Sequence, residues 1–259
     1  MRDILEAVAA GELSPAAAEA ELAGYVTGDA GRFDAARERR SGVPEAVLAE
    51  GKTPDEVAAL AADSLETTGR ALVTRADDAD AAAVSAALDV PVRYRERSGL
   101  VLAHAADYSG PDLDAGVGVV TAGTADAVPA EEAAVVLREM GADVTRVDDV
   151  GVASLARLTD QLDVLRSQDV LVVAAGREGA LPTVVAGLVD VPVVGLPVST
   201  GYGHAGDGEA ALSGLLQSCT ALSVVNVDAG FTAGAQAGLV ARRVDAARGD
   251  GTAGGTPRE

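Results

Sequence analysis

The hydrophobic pattern changes its rhythm about two-fifths of the way along the chain. Beyond residue 115, short apolar runs alternate with amphipathic or small-residue stretches. The runs Val117–Thr121, Val144–Val147, Val170–Ala174, Pro192–Leu196 and Ser223–Val227 have the length and content of strands buried on both faces. The second is the weakest, because Thr145 and Arg146 interrupt it. Helical spacing fills the gaps at 126–140, 152–167, 179–188, 207–219 and 231–247. Strand–helix alternation at this spacing predicts an α/β fold, a three-layer, doubly wound parallel sheet over 115–247. The closing residues, GDGTAGGTPRE, read as a flexible tail over 248–259.

The earlier part of the chain reads differently. Two short helices are expected in 1–30. Ile4, Leu5 and Val8 mark one face of Arg2–Ala10, Gly11 breaks it, and Ser14-Pro15 opens the next as N-cap and first-turn proline. A small α/β domain is expected over 31–110. It begins with an Arg-rich stretch at 34–53, broken by Gly and Pro. A helix over Pro54–Gly69, a strand over Ala71–Ala76, a helix over Asp77–Leu88 and one or two strands in Pro91–His104 follow. Residues 105–115 are polar, carry Pro and Gly, and read as a linker. No internal repeat is visible.

Composition narrows the function. The chain has 40 acidic and 20 basic residues, a net charge of −20, and Lys52 is its single lysine. Such a surface is a poor partner for nucleic acid or for an anionic membrane. A hydrophobic content of 48% argues against disorder. High acidity with one lysine suggests a cytosol at high salt, which screens self-repulsion. The amino terminus lacks the basic start and apolar core of an export signal, and the uncharged run Ala210–Val227 is too polar to insert in a bilayer. A soluble, cytoplasmic protein is the expectation. Cys219 is the single cysteine, which excludes an internal disulfide and a multi-cysteine zinc site.

Glycine-bearing loops follow four of the five expected strands: Ala122–Asp126, Ala175–Pro182, Pro197–Gly203 and Asn226–Phe231. That is the rim where a doubly wound sheet keeps its ligand, and backbone N–H groups at helix starts attract anions. Glycine also makes ordinary tight turns, and no G-x-G-x-x-G fingerprint is present. Gly51-Lys52-Thr53 resembles a fragment of a phosphate loop, but the glycine required six residues earlier is Ala46. His104 and His204 lack metal-ligand spacing. Glu178 and Asp126 stand at helix starts, where a carboxylate is either a cap or a working group. A lone cysteine is most often a small buried hydrophobe; it is a nucleophile where its thiol is accessible and its pKa lowered.

The ordered segments TAGTADAVPAEEAA, VDDVGVASLARL, AAGREGALPTVVAGLVDVPVVGLPVSTGYG and LLQSCTALSVVNVDAGF resemble the nickel-pincer-nucleotide biosynthesis carboxylases of the LarB family. The carboxyl-terminal half of that family is similar to aminoimidazole ribonucleotide carboxylase/mutase. Asp34, Arg37, Arg40, Gly42, Pro44, Glu45, Gly51-Lys52-Thr53 and Thr74-Arg75 extend the resemblance, which covers about residues 30–247. The chain departs from the family pattern at four places. Ala156 replaces a His, Arg177 a Met, Ala229 an Asn and Thr232 a Gly.

The resemblance implies carboxylation of the pyridinium ring of nicotinic acid adenine dinucleotide at C5, with CO2 or bicarbonate as co-substrate. The pyrophosphate is also hydrolysed, which releases AMP, and the product is pyridinium-3,5-biscarboxylate mononucleotide. A pyridinium carbon is too electron-poor to attack CO2, so a nucleophile must first add to the ring and later leave, which suits a thiolate. By position in the family that residue is Cys219, with Glu178 as the first choice of base and Asp126 as the second. Lys52, Arg37, Arg40, Arg75 and Arg157 are the implied cations for the substrate. Gly123, Thr124, Gly176, Ser199, Gly201, Tyr202, Gly203, Asn226 and Asp228 are the implied loop contacts. No tightly bound cofactor is implied, and a Mg2+ ion on the pyrophosphate has no motif of its own. A homo-oligomer is expected, because the related fold forms octamers. Two rivals stand beside this reading: a purine-pathway carboxylase or mutase on aminoimidazole ribonucleotide, needing neither Cys219 nor the amino-terminal domain, and a nucleotide-binding paralogue that has lost catalysis.

Overall fold

The structure, a computed structural model, describes residues 1–28, 30–201 and 204–253. The chain forms two compact units, Met1–Ser109 and Gly110–Glu259.

The first unit opens with α1 (Arg2–Ala10) and α2 (Pro15–Ala23), and Ser14 Oγ accepts the Ala17 N–H at 3.0 Å as the sequence signal predicts. An antiparallel hairpin of β1 (Val26–Gly28) and β2 (Gly31–Phe33) follows, where the sequence pattern predicts no strand. Its strands span three residues each, too short to display a period, yet Val26 and Phe33 are buried. Then come α3 (Arg37–Ser41), β3 (Val47–Leu48), α4 (Pro54–Thr68), β4 (Arg70–Thr74), α5 (Asp78–Ala87), β5 (Val92–Arg95) and β6 (Leu100–His104). The sheet runs β3-β4-β6-β5, with β3 parallel to β4 and the other pairs antiparallel. Capping boxes at Thr53/Glu56 and Asp77/Asp80 start α4 and α5.

The second unit is a three-layer α/β fold. Its elements are β7 (Gly116–Thr121), α6 (Ala127–Glu139), β8 (Asp143–Val147), α7 (Leu155–Thr159), α8 (Leu162–Arg166), β9 (Val170–Ala175), α9 (Ala180–Ala186), β10 (Val193–Pro197), α10 (Glu209–Leu216), β11 (Ser223–Val224) and α11 (Gly230–Ala253). Five parallel strands lie in the order β11-β10-β9-β7-β8. Successive residues of each strand face opposite layers. Val117, Val119, Val170 and Val172 pack against Ala133 and Leu137 of α6 and Ala237 of α11. Val120, Leu171 and Val173 pack against Leu158, Leu165 and Leu181 of α7, α8 and α9. Helices α6 and α11 approach closely: a Cβ on Gly234 would lie 2.6 Å from the Ala133 carbonyl oxygen.

Three details differ from the sequence reading. The single helix expected over 152–167 is a 3-10 turn followed by two five-residue helices. Strand β11 ends at Val224 rather than Val227. Helix α11 continues to Ala253, through residues expected to begin a tail. Arg248 ties this extension down: its guanidinium reaches Asp169 Oδ1 at 2.7 Å and Oδ2 at 3.0 Å, and also the Asp114 carbonyl. Such a partner, far away in sequence, leaves no mark on local composition. Among the described residues, no helix is long and apolar enough to cross a membrane.

Candidate active site

Strands β7 and β9 are neighbours in the sheet but not in sequence. The chain leaves β7 for β8 on one side and leaves β9 for β10 on the other. The loops at their carboxyl ends therefore diverge, and a crevice opens at this switch point. Asp126 forms its floor. It closes a 3-10 turn, Thr124–Asp126, just before α6, and is 5% exposed. Its Oδ2 accepts the Gly123 N–H at 2.8 Å, and its Oδ1 accepts the Gly176 N–H at 3.2 Å. The Thr200 hydroxyl lies 3.5 Å from the same Oδ1. One carboxylate thus joins the loops that follow β7, β9 and β10. Glycine at 176 is required by this closeness, because a Cβ there would collide with the Thr200 carbonyl oxygen.

Burial pushes the Asp126 carboxyl above its ordinary range, and the backbone N–H bonds from Gly123 and Gly176 partly offset that rise. A carboxylate that binds a proton more readily than usual, held rigidly beside a cavity, is equipped to accept one. The cavity above it measures about 750 Å3, the size of a small-molecule site. Of the residues expected at the site, Gly123, Asp126, Arg157, Gly176, Glu178 and Gly201 line it. Its wall also holds residues that the sequence reading does not assign, notably Gly151, Arg177 and Thr200. Gly151 belongs to the VDDVGVASLARL segment, and Thr200 to one of the glycine-bearing loops, so the segments are legible although the residues are not.

Family models match both units of the chain. The family described as LarB/PurE-like N-terminal domain matches residues 25–105, and the family described as AIR carboxylase matches residues 116–253. A Methanocaldococcus jannaschii protein, described as uncharacterized protein MJ0165, is 36% identical over 218 residues, covering 82% of this chain and 84% of the relative. Among solved structures, a single-substitution variant of Treponema denticola PurE2 covers 53% of this chain and 96% of its own, at 16% identity and a TM-score of 0.37. The chain belongs to the LarB family. Its second unit is an AIR carboxylase domain, a fold of carboxylase- and mutase-type enzymes.

Thr124, Ser199, Asn226 and Asp228 are not in the described wall. Asn226 is exposed, and its Oδ1 accepts the Val227 N–H at 2.9 Å. Asp228 Oδ1 accepts the Ser199 N–H at 2.9 Å, which links the loops after β10 and β11. Thr124 is exposed on the turn that carries Asp126. Tyr202 and Gly203 lie outside the described residues. Glu178 lines the cavity, but its side chain is 63% exposed. Arg157 lines it too and pairs with Asp149 at 2.7 Å.

Cys219 is exposed and is not in the described wall. It follows α10 and precedes β11, so it stands on the amino-end side of the sheet. The adjoining Thr220 reaches the Thr183 carbonyl of α9 at 3.4 Å and packs beside Gly187, which leads into the start of β10.

In the first unit the four expected cations are each engaged with neighbours. Arg37 Nη1 lies 3.2 Å from both Glu45 oxygens, and Arg40 forms a two-pronged pair with Asp34 at 2.6 and 3.2 Å. Arg75 reaches Glu50 at 2.7 Å, and Lys52 Nζ donates to the Leu48 carbonyl at 2.6 Å. The Arg40 guanidinium holds the Asp34 carboxyl below its ordinary range. Among the described residues, no group of three His, Cys, Asp or Glu side chains is placed to hold a metal ion.

Proposed function

We propose that this protein carboxylates C5 of the pyridinium ring of nicotinic acid adenine dinucleotide and hydrolyses its phosphoanhydride. The products are AMP and pyridinium-3,5-biscarboxylate mononucleotide, a precursor for a nickel-pincer cofactor. The observation that carries this reading is Asp126, a buried carboxyl with a raised proton affinity at the floor of a cavity in an AIR carboxylase fold.

The chemistry balances without an external oxidant or reductant. A thiolate adds to the ring carbon beside C5, and the ring electrons neutralise the pyridinium nitrogen. The enamine-like C5 then attacks CO2 and forms the new carbon–carbon bond. A base removes the C5 proton, and the electrons released restore aromaticity and expel the thiolate. Hydrolysis separately consumes one water at the phosphoanhydride. Asp126 takes the base's part ahead of Glu178, because it is buried at the cavity floor and held by two backbone N–H groups, whereas the Glu178 side chain is largely open to water.

Cys219 provides the thiolate. Cys219 is exposed and is not in the described wall of its own chain's cavity, so in this reading it serves the cavity of a neighbouring copy, and the working enzyme is a homo-oligomer. CO2 or bicarbonate is the co-substrate, and Mg2+ enters, if required, on the substrate's pyrophosphate.

The test is direct. Purified protein is incubated with the dinucleotide and 13C-bicarbonate, and the products are resolved by mass spectrometry. A labelled biscarboxylate mononucleotide, formed with one AMP each, is the expected result. Its absence overturns the reading, and label appearing in aminoimidazole ribonucleotide in a parallel incubation moves the assignment to purine chemistry.

A further inference from the structure

The cavity above Asp126 has a neighbour. A second hollow of about 260 Å3 adjoins it, walled by His204, Gly206 and Gly208 in the loop before α10. Three residues line both hollows: Arg177, Glu178 and Gly201. The larger hollow is bounded mainly by Ala, Val and Leu side chains above the Asp126 carboxyl, a setting for a flat ring. The smaller one is bounded by short residues and an imidazole. Two compartments joined over one ridge match a ligand with two ends and a charged joint.

The ridge carries the needed charge. The Arg177 side chain is 57% exposed, and its Nε lies 4.0 Å from Glu178 Oε2, a long contact. The residue sits in the left-handed region at φ 50°, in a turn closed by the Gly179 N–H on the Gly176 carbonyl at 2.9 Å. The loop after β10 comes close enough that a Cβ on Gly201 would lie 3.3 Å from the Arg177 nitrogen. We propose that Arg177 binds the pyrophosphate of the substrate at the junction of the two hollows, with one nucleoside end in each. A guanidinium presents two N–H groups to two phosphate oxygens at once, which suits a diphosphate better than an ammonium does. Glu178, an anion beside Arg177 on the ridge, opposes this binding. The inference rests on the dinucleotide reading above, and it concerns a position where this chain departs from its family's methionine.

Calorimetric titration of the full-length protein tests it with three ligands: the dinucleotide, inorganic pyrophosphate and nicotinic acid riboside, which lacks phosphate. Arg177→Met should weaken the dinucleotide and pyrophosphate by about tenfold or more and leave the riboside unchanged. Arg177→Lys should fall between, and Glu178→Gln should tighten both phosphate-bearing ligands. Equal dinucleotide affinity in wild type and Arg177→Met overturns the inference while leaving the dinucleotide reading intact. An equal loss for the riboside overturns it too, because the cavity itself would then have changed. If wild type binds pyrophosphate through Arg177 but ignores the dinucleotide, the anion site stands and the substrate reading falls.

Discussion

At the carboxyl ends of β7, β9 and β10, the second unit gathers a buried carboxylate, glycine turns and two adjoining hollows. In the connection from α10 to β11 it carries one exposed thiol, Cys219. Both rims belong to one sheet, yet they are built for different tasks. Parallel strands send every helix start to the carboxyl rim, where backbone N–H groups converge and the switch point leaves room. The amino rim receives helix ends. In the reading proposed above, a chemistry that needs a ring pocket and a nucleophile together is divided between the rims of one chain, and an assembly of chains reunites them.

The strongest challenge to that contrast is complementation. Asp126→Asn should lower turnover by about 10²- to 10⁴-fold as a lost general base, and Cys219→Ala should abolish product. Co-assembly of the two inactive variants should restore about a quarter of wild-type activity, since random pairing gives that share of sites an intact cavity and an intact thiol. Activity that stays absent after co-assembly places both groups in one chain and breaks the division between rims.

A smaller effect sharpens how the carboxyl rim is held. Gly176→Ala drives a methyl into the Thr200 carbonyl and parts the loops that Asp126 joins. It should cost about 1–3 kcal/mol in unfolding free energy, read by denaturant titration, with a raised KM. Alanine placed at Gly123, which has open space around its Cβ apart from Asp126 Oδ2 at 3.9 Å, should cost less.

The gentlest probe is pH. Asp126 binds its proton more tightly folded than unfolded, so its ionisation opposes folding. Relative to Asp126→Asn, the wild type should gain stability as pH falls through the raised pKa, and it should lose that advantage as pH rises again. Because the base must be ionised to work, the acid limb of kcat/KM should lie above the ordinary aspartate value of 3.8. A limb at or below 3.8 points to a different base.

Local signals are legible wherever they lie within a few residues of one another. The N-caps at Ser14, Thr53 and Asp77 start helices as their side chains dictate. The valine-rich runs become the strands of the parallel sheet, because burial on both faces demands continuous apolar side chains. The hairpin at 26–33 escapes notice because its strands are shorter than any period. The end of α11 escapes because Arg248 finds Asp169 across most of the unit's sequence. At the site, the motif segments are visible while their roles are not. Glu178 and Asp126 look alike as acids at helix starts, and only folding buries one and exposes the other.

The amino-acid sequence by itself determined the α/β class, the acidic surface and the carboxyl-rim loops, since these follow from hydrophobic period, charge count and turn chemistry. Tertiary structure decided the rest. It buried Asp126 and left Glu178 exposed, because desolvation depends on what packs above a carboxyl. It brought Arg177 to the ridge between two hollows, because that ridge exists only when the loops after β9 and β10 meet. It also left Cys219 exposed and outside the described cavity wall, since strand order, unlike strand content, is settled by how the whole chain folds back on itself.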